Sequence, residues 1–138
     1  MRFFKTKRVE IQRQGLEKIL GTLETDLLEY LWDKGESTAR CVCDHLNRSR
    51  SISFNAVNTV LNRLVDKGIL KRKHGDQQYL FGASYSKAEL TKIVSQDIFS
   101  SLLRDKKLFS IAGFTEALNE LSADERKTLL DAIQSKTQ

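Results

Sequence analysis

Apolar residues recur along the chain at helical spacing in separate blocks, with polar residues between them. The clearest block runs from Ser53 to Gly68, where Val57, Val60, Leu61, Leu64 and Val65 stand at i, i+3, i+4, i+7 and i+8. That spacing places them on one face of a helix. Ser53 supplies a cap at the start, and Lys67-Gly68 supplies a cation and then a glycine at the stop. The opposite face carries Asn55, Asn58, Thr59, Asn62 and Arg63.

The blocks before it have the same period. Leu20, Leu23, Leu27 and Leu31 form one stripe, widened by Leu28 and Trp32, on a helix predicted from Thr22 to Lys34. Glu24 and Asp26 fall in its first turn, where the helix dipole favours anions, and it stops at Lys34-Gly35. Glu36 to Thr38 reads as a strand stub, and Ala39 to Asn47 as a short helix with Val42 and Leu46 facing inward. After Gly68 the period changes. Ile69 and Leu70 lead through Lys71, Arg72, Lys73 and His74 to Gly75-Asp76, and Gln77 to Phe81 follows, a β-hairpin with a basic arm. Three helices followed by a hairpin make a winged helix, a variant of the helix-turn-helix.

The remainder is helical. Ser86-Lys87-Ala88-Glu89 is a capping box opening a helix through Leu90, Val94, Ile98 and Leu102 to about Arg104. Ile111, Phe114, Leu118 and Leu121 give a second amphipathic stretch, and Ser122-Ala123-Asp124-Glu125 caps a last helix through Leu129, Leu130 and Ile133. Their apolar stripes need a cover, either the winged helix of the same chain or, more simply, the same segment of a second copy. The predicted class is mainly α with a small β-hairpin: a basic extension over 1–19, a winged helix-turn-helix domain over 20–83 and a helical dimerisation domain over 84–138. Leu102, Phe114, Leu118 and Leu129 are the expected dimer contacts. Residues 1–14 show no period and read as a basic arm, and Leu16, Ile19 and Leu20 suggest a short turn over Gly15 to Gly21.

Charge sharpens this picture. The net charge is +5 over 138 residues, and the excess sits in the first 82; the remaining residues are neutral overall. Arg40, Arg48, Arg50, Arg63, Lys67, Lys71, Arg72 and Lys73 crowd around the Ser53–Gly68 helix against only Asp44 and Asp66. A basic patch concentrates a polyanion, and phosphate contacts supply most of the affinity for nucleic acid. Amide, hydroxyl and guanidinium groups on the helix can bond base edges, and asparagine pairs both ends of its amide with adenine. Expected contacts to double-stranded DNA are therefore Arg48, Arg50, Ser53, Asn55, Asn58, Thr59, Asn62, Arg63, Lys71, Arg72 and Gln77. The alternative is a winged helix used as a protein-interaction module without a DNA target.

Other chemistry is thin. No apolar run reaches membrane-spanning length and Met1 to Arg8 lacks a signal-peptide core, so the expected location is cytoplasmic. No phosphate loop, nucleophile elbow or HExxH occurs, which points away from an enzyme. The oddity is Cys41-Val42-Cys43-Asp44-His45. On a helix Cys41 and His45 share a face and could hold a metal, while Cys43 points away; Cys41 and Cys43 are also candidates for thiol redox sensing. No cofactor is firmly implied, and small side chains used as packing is the simpler account.

An ordered series of residues carries a family resemblance: Leu20-Gly21-Thr22-Leu23-Glu24, Leu28, Leu31-Trp32, Lys34-Gly35-Glu36, Thr38, Val42, Leu46, Val57, Thr59, Leu61, Arg63-Leu64 and Lys67-Gly68. In this order and spacing they resemble the penicillinase-repressor family, the BlaI/MecI/CopY type of transcriptional regulator. The resemblance implies a homodimer that binds a palindromic operator and represses the adjacent gene, released by proteolysis or, in one branch, by copper. This chain departs from the pattern in four places. Ala56 stands where a threonine is common, and Asp76-Gln77 replaces the usual Gly-Arg of the wing tip. The C-terminal cysteines of the copper branch are missing, and Gly113-Phe114 is the nearest counterpart to the cleaved Asn-Phe bond.

Overall fold

The computed structural model describes residues 20–107 and 109–137. The expected N-terminal extension and most of the Gly15–Gly21 turn lie outside them. Helix α1 (Thr22–Lys34) buries Leu27, Leu28 and Leu31. Leu20, Leu23 and Trp32 pack around that stripe half-buried, and the Trp32 indole donates to the Tyr85 carbonyl at 2.9 Å. Strand β1 (Ser37–Thr38) and helix α2 (Ala39–Leu46) follow, with Val42 and Leu46 inward as the spacing predicts. Helix α3 (Phe54–Asp66) buries Val57, Val60, Leu61 and Leu64, the predicted face, with Val65 at its edge.

Local chemistry sets the ends of these helices. The Ser53 hydroxyl accepts the Ala56 N–H at 3.1 Å, and half-buried Ile52 packs on the core just before this cap. At the other end the Gly68 N–H bonds the Val65 carbonyl and the Ile69 N–H the Leu64 carbonyl, both at 2.9 Å. That pair of bonds is a Schellman stop, and it needs the left-handed residue that Gly68 supplies at φ 80°. Gly35 ends α1 differently: its N–H bonds the Leu31 carbonyl at 2.9 Å and its positive φ of 79° turns the chain out of the helix.

Strands β2 (Leu70–His74) and β3 (Tyr79–Ala83) form the hairpin, and β3 lies between β2 and β1 in an antiparallel sheet. The register pairs Leu70 with Ala83, Arg72 with Phe81 and His74 with Tyr79. Because side chains alternate, those residues share one face, the one through which Leu70 and Phe81 enter the core. Lys71 and Lys73 lie on the other face, where Lys73 pairs with Glu36 at 2.6 Å.

Helix α4 (Lys87–Arg104) starts where the Ser86 hydroxyl accepts the Glu89 N–H at 3.1 Å. Its first turns belong to the compact unit that ends at Val94: Leu90 is buried, Val94 packs beside it, and Lys87 pairs with Glu29. The second unit begins at Ser95 and holds the rest of α4, then α5 (Ile111–Ala117), a 3₁₀ turn over Leu118–Glu120 and α6 (Ala123–Lys136). The stretch expected to run as one amphipathic segment to Leu121 thus tightens after Ala117. The Ser122 box is complete: its hydroxyl accepts the Glu125 N–H and the Glu125 carboxylate accepts the Ser122 N–H. Every buried hydrophobic side chain among the described residues lies between Leu27 and Leu90. No helix among them is long and apolar enough to cross a membrane.

Candidate nucleic-acid interface

The polar face of α3 is built as the helical period requires, but its side chains are not all free. Asn55, Thr59 and Arg63 are exposed, while Asn58 and Asn62 are half-buried at the edge of the core face. Thr59 donates its hydroxyl hydrogen to the Asn55 carbonyl at 2.8 Å and keeps its oxygen as an acceptor. Asn62 donates to the Asn58 carbonyl at 2.8 Å and accepts from the Arg72 guanidinium, so both ends of its amide are engaged.

Arg72 joins the hairpin to the helix. Besides bonding Asn62 it lies over the Tyr79 ring, 4.3 Å from the centroid, and Tyr79 in turn meets the His74 ring at 4.5 Å. The wing is thereby pinned beside α3 through one cation, one ring and one amide. Lys71, expected to work alongside Arg72, projects from the opposite face of the hairpin. There the hydrogen bond from Lys73, backed by the charges of Lys73 and Lys71, holds the Glu36 carboxyl below its ordinary value. Gln77 is exposed at the wing tip, next to the Gly75–Gln78 closure.

The turn between α2 and α3 positions the reading helix. Arg48 is exposed on it, whereas Arg50 is half-buried and paired with Asp26, so its charge is partly spent inside the protein. Ser53 is exposed but committed to the cap. Asn47 closes the turn. Its amide nitrogen donates to the carbonyls of Cys43 (2.8 Å) and Ile52 (2.9 Å), and its oxygen accepts the Ile52 N–H at 3.0 Å. An asparagine one residue past a helix has no periodic signature, and sequence reasoning passed over it.

It also passed over Phe54, and it placed Arg40 in the basic patch without counting it among the DNA contacts. Phe54 stands at the first helical position of α3, 37% exposed, with the Arg40 guanidinium 4.8 Å over its ring. Phe54 stands three residues before Val57, at the leading edge of the apolar face, and that spacing was the available signal.

The two cysteines of the motif part to opposite sides of α2, as the helical spacing predicts. Cys41 is exposed and Cys43 buried, the Cys43 sulfur receiving the Asn47 amide at 3.3 Å. His45 turns its ring against Tyr30, 4.5 Å between centroids. No group of three or more metal-binding side chains occurs among the described residues.

In the second unit, Leu102, Leu118 and Leu129 are half-buried and Phe114 is 40% exposed. The larger uncovered apolar surface belongs to residues the sequence reading did not single out as contacts: Phe99 at 54%, Leu103 at 51%, Ile111 at 73% and Leu130 at 54%.

Residues 20–135 match the family model described as penicillinase repressor. The transcriptional regulator BlaI of Mycobacterium tuberculosis is 31% identical over 115 residues, covering 83% of this chain and 82% of that protein. An uncharacterised 16.5 kDa protein of Latilactobacillus sakei is 25% identical over 95 residues, 69% of this chain, and the match spans 65% of that protein, just under two thirds. Among solved structures, MepR, a transcription regulator of the Staphylococcus aureus multidrug efflux pump MepA, aligns at 19% identity with a TM-score of 0.49, covering 100% of this chain and 94% of that one.

Proposed function

Because this chain belongs to the penicillinase repressor family, whose members are DNA-binding transcriptional regulators and not enzymes, we propose that it acts as a cytoplasmic homodimer repressing a gene from a palindromic operator. Each copy lays α3 in the major groove. Asn55, Asn58 and Thr59 meet base edges, and Arg48, Arg63 and Lys71 meet phosphates. Arg72 and Asn62 hold the wing against the helix, and Gln77 extends toward the adjoining groove. The observation that carries this reading is the pinning of the basic hairpin onto the polar face of α3 by Arg72.

Pairing is supported by the second unit. It buries no hydrophobic side chain among its described residues, and its helices leave Phe99, Leu103, Ile111 and Leu130 uncovered. A second copy related by a two-fold axis covers identical stripes at once, and a two-fold protein matches a palindromic site.

The test is a mobility shift of the full chain on a duplex selected from a random pool, beside unselected genomic fragments, at two salt concentrations. The expected result is that both bind at low salt and only the selected duplex survives at high salt. Equal loss from both would leave no operator to propose.

A further inference from the structure

Phe54 stands at the edge of the apolar face of α3, three residues before buried Val57, yet it is 37% exposed beside Asn58. It follows the Ser53 cap directly and takes no place in the core. It borders an open groove with Asn58 on one side and Gln77, Gln78 and Tyr79 of the hairpin on the other. Residues at the N-terminal end of a recognition helix are the ones that reach base edges. In the major groove the apolar group that B-DNA presents is the 5-methyl of thymine.

Arg40 completes the arrangement. Its guanidinium lies 4.8 Å from the centroid of the Phe54 ring, and among the described residues no carboxylate pairs with it. It sits in the first turn of α2, at the entrance to the same surface. Stacked on the ring, the guanidinium is already oriented, and the donors at its edge remain available to a phosphate.

We infer that Phe54 is a specificity-determining residue of this regulator: its ring packs against the 5-methyl group of one thymine in each half-site, while Arg40, stacked on the ring, binds a neighbouring phosphate. The inference rests on the operator reading above and adds to it the base that is read and the group that reads it.

The experiment uses the full chain and the duplex it selects from a random pool. Each thymine is replaced in turn by uracil, which removes the methyl group and leaves every hydrogen bond of the base pair in place. In the wild type, uracil at one position of a half-site is expected to weaken binding about fourfold, the worth of one buried methyl group. Phe54→Ala should bind the thymine duplex more weakly by a similar factor and be indifferent to uracil at that position. Arg40→Ala should weaken selected and random duplexes alike and lower the salt slope by about one. The uracil arm alters no residue of the protein, so misfolding cannot produce its result. Wild-type binding that tolerates uracil everywhere overturns the inference, as does a Phe54→Ala variant that keeps the full uracil penalty. A chain that enriches no sequence overturns instead the operator reading on which the inference stands.

Discussion

Asn58 and Asn62 are one helical turn apart and carry the same amide, yet they are placed for different work. Asn62 spends its nitrogen on the Asn58 carbonyl and its oxygen on Arg72. The Asn58 side chain lines the groove beside the wing. A bidentate pair with adenine needs both ends of an amide at once, which favours Asn58 as the base reader. Replacing Asn58 by Ala should therefore relax preference at one base pair, by about 1–3 kcal/mol, in binding to a set of single-substitution duplexes. Asn62→Ala should instead lower affinity for all duplexes by a similar factor, because it releases Arg72 and the wing. If the two variants lost preference at the same base pair, this division of labour would be wrong. Sequence alone could not make it: both residues fall on the polar face, and only the hairpin register decides that Arg72 meets one of them.

At the scale of elements, the helices were legible because each carries its own period and stop. Val57 to Leu64 and Leu27 to Leu31 announce their buried faces, and Lys34-Gly35 and Lys67-Gly68 announce where the chain must turn left-handed. What escaped was whatever depends on partners distant in sequence. Strand alternation sends Lys71 and Arg72 to opposite faces, but which of them meets α3 follows from register, and a one-residue slip would swap them. The shortening of α5 to Ala117 had no sequence sign either. The Asn47 clasp is local by contrast, its partners lying four and five residues away, yet only the folded turn shows that one amide spans Cys43 and Ile52. Asn47→Ala should lower stability by about 1 kcal/mol, read by denaturant unfolding, with a larger loss in operator binding as the pitch of α3 loosens. Unchanged affinity in that variant would show that the turn holds its shape without the clasp. Helix α6 offers a pH test. The Ser122 backbone N–H and then its hydroxyl hold the Glu125 carboxyl below its ordinary value. A group lowered on folding stabilises above its unfolded value and loses that contribution as pH falls through the folded one. Helicity of the tail should therefore fall on acidification below about pH 4.3, and Glu125→Ala should flatten that dependence. An unaltered acid transition in the variant would place the titrating group elsewhere.

For the whole molecule, the decisive feature is where burial stops. Leu90 and Val94 pack into the first unit, so a fragment ending at Ala83, the boundary expected from sequence, removes part of that core. A fragment ending just after Val94 keeps it, and should be a folded monomer that holds half-sites weakly; sedimentation showing a tight dimer would refute the placement of the pairing surface in the tail. The tail, by contrast, has little reason to hold its shape alone. When folding and pairing are one event, stability depends on how many copies the cell contains. On the proposed pairing, newly made chains that have not yet met would carry a less stable end for proteases to find. Operator occupancy in the dilute regime then rises with the square of supply, and halving synthesis cuts occupancy about fourfold, since a dimer forms in proportion to the square of its monomer. On that same proposal, a repressor that folds only when paired would be cleared quickly once it is no longer made, and the gene beneath it would reopen on the timescale of protein turnover.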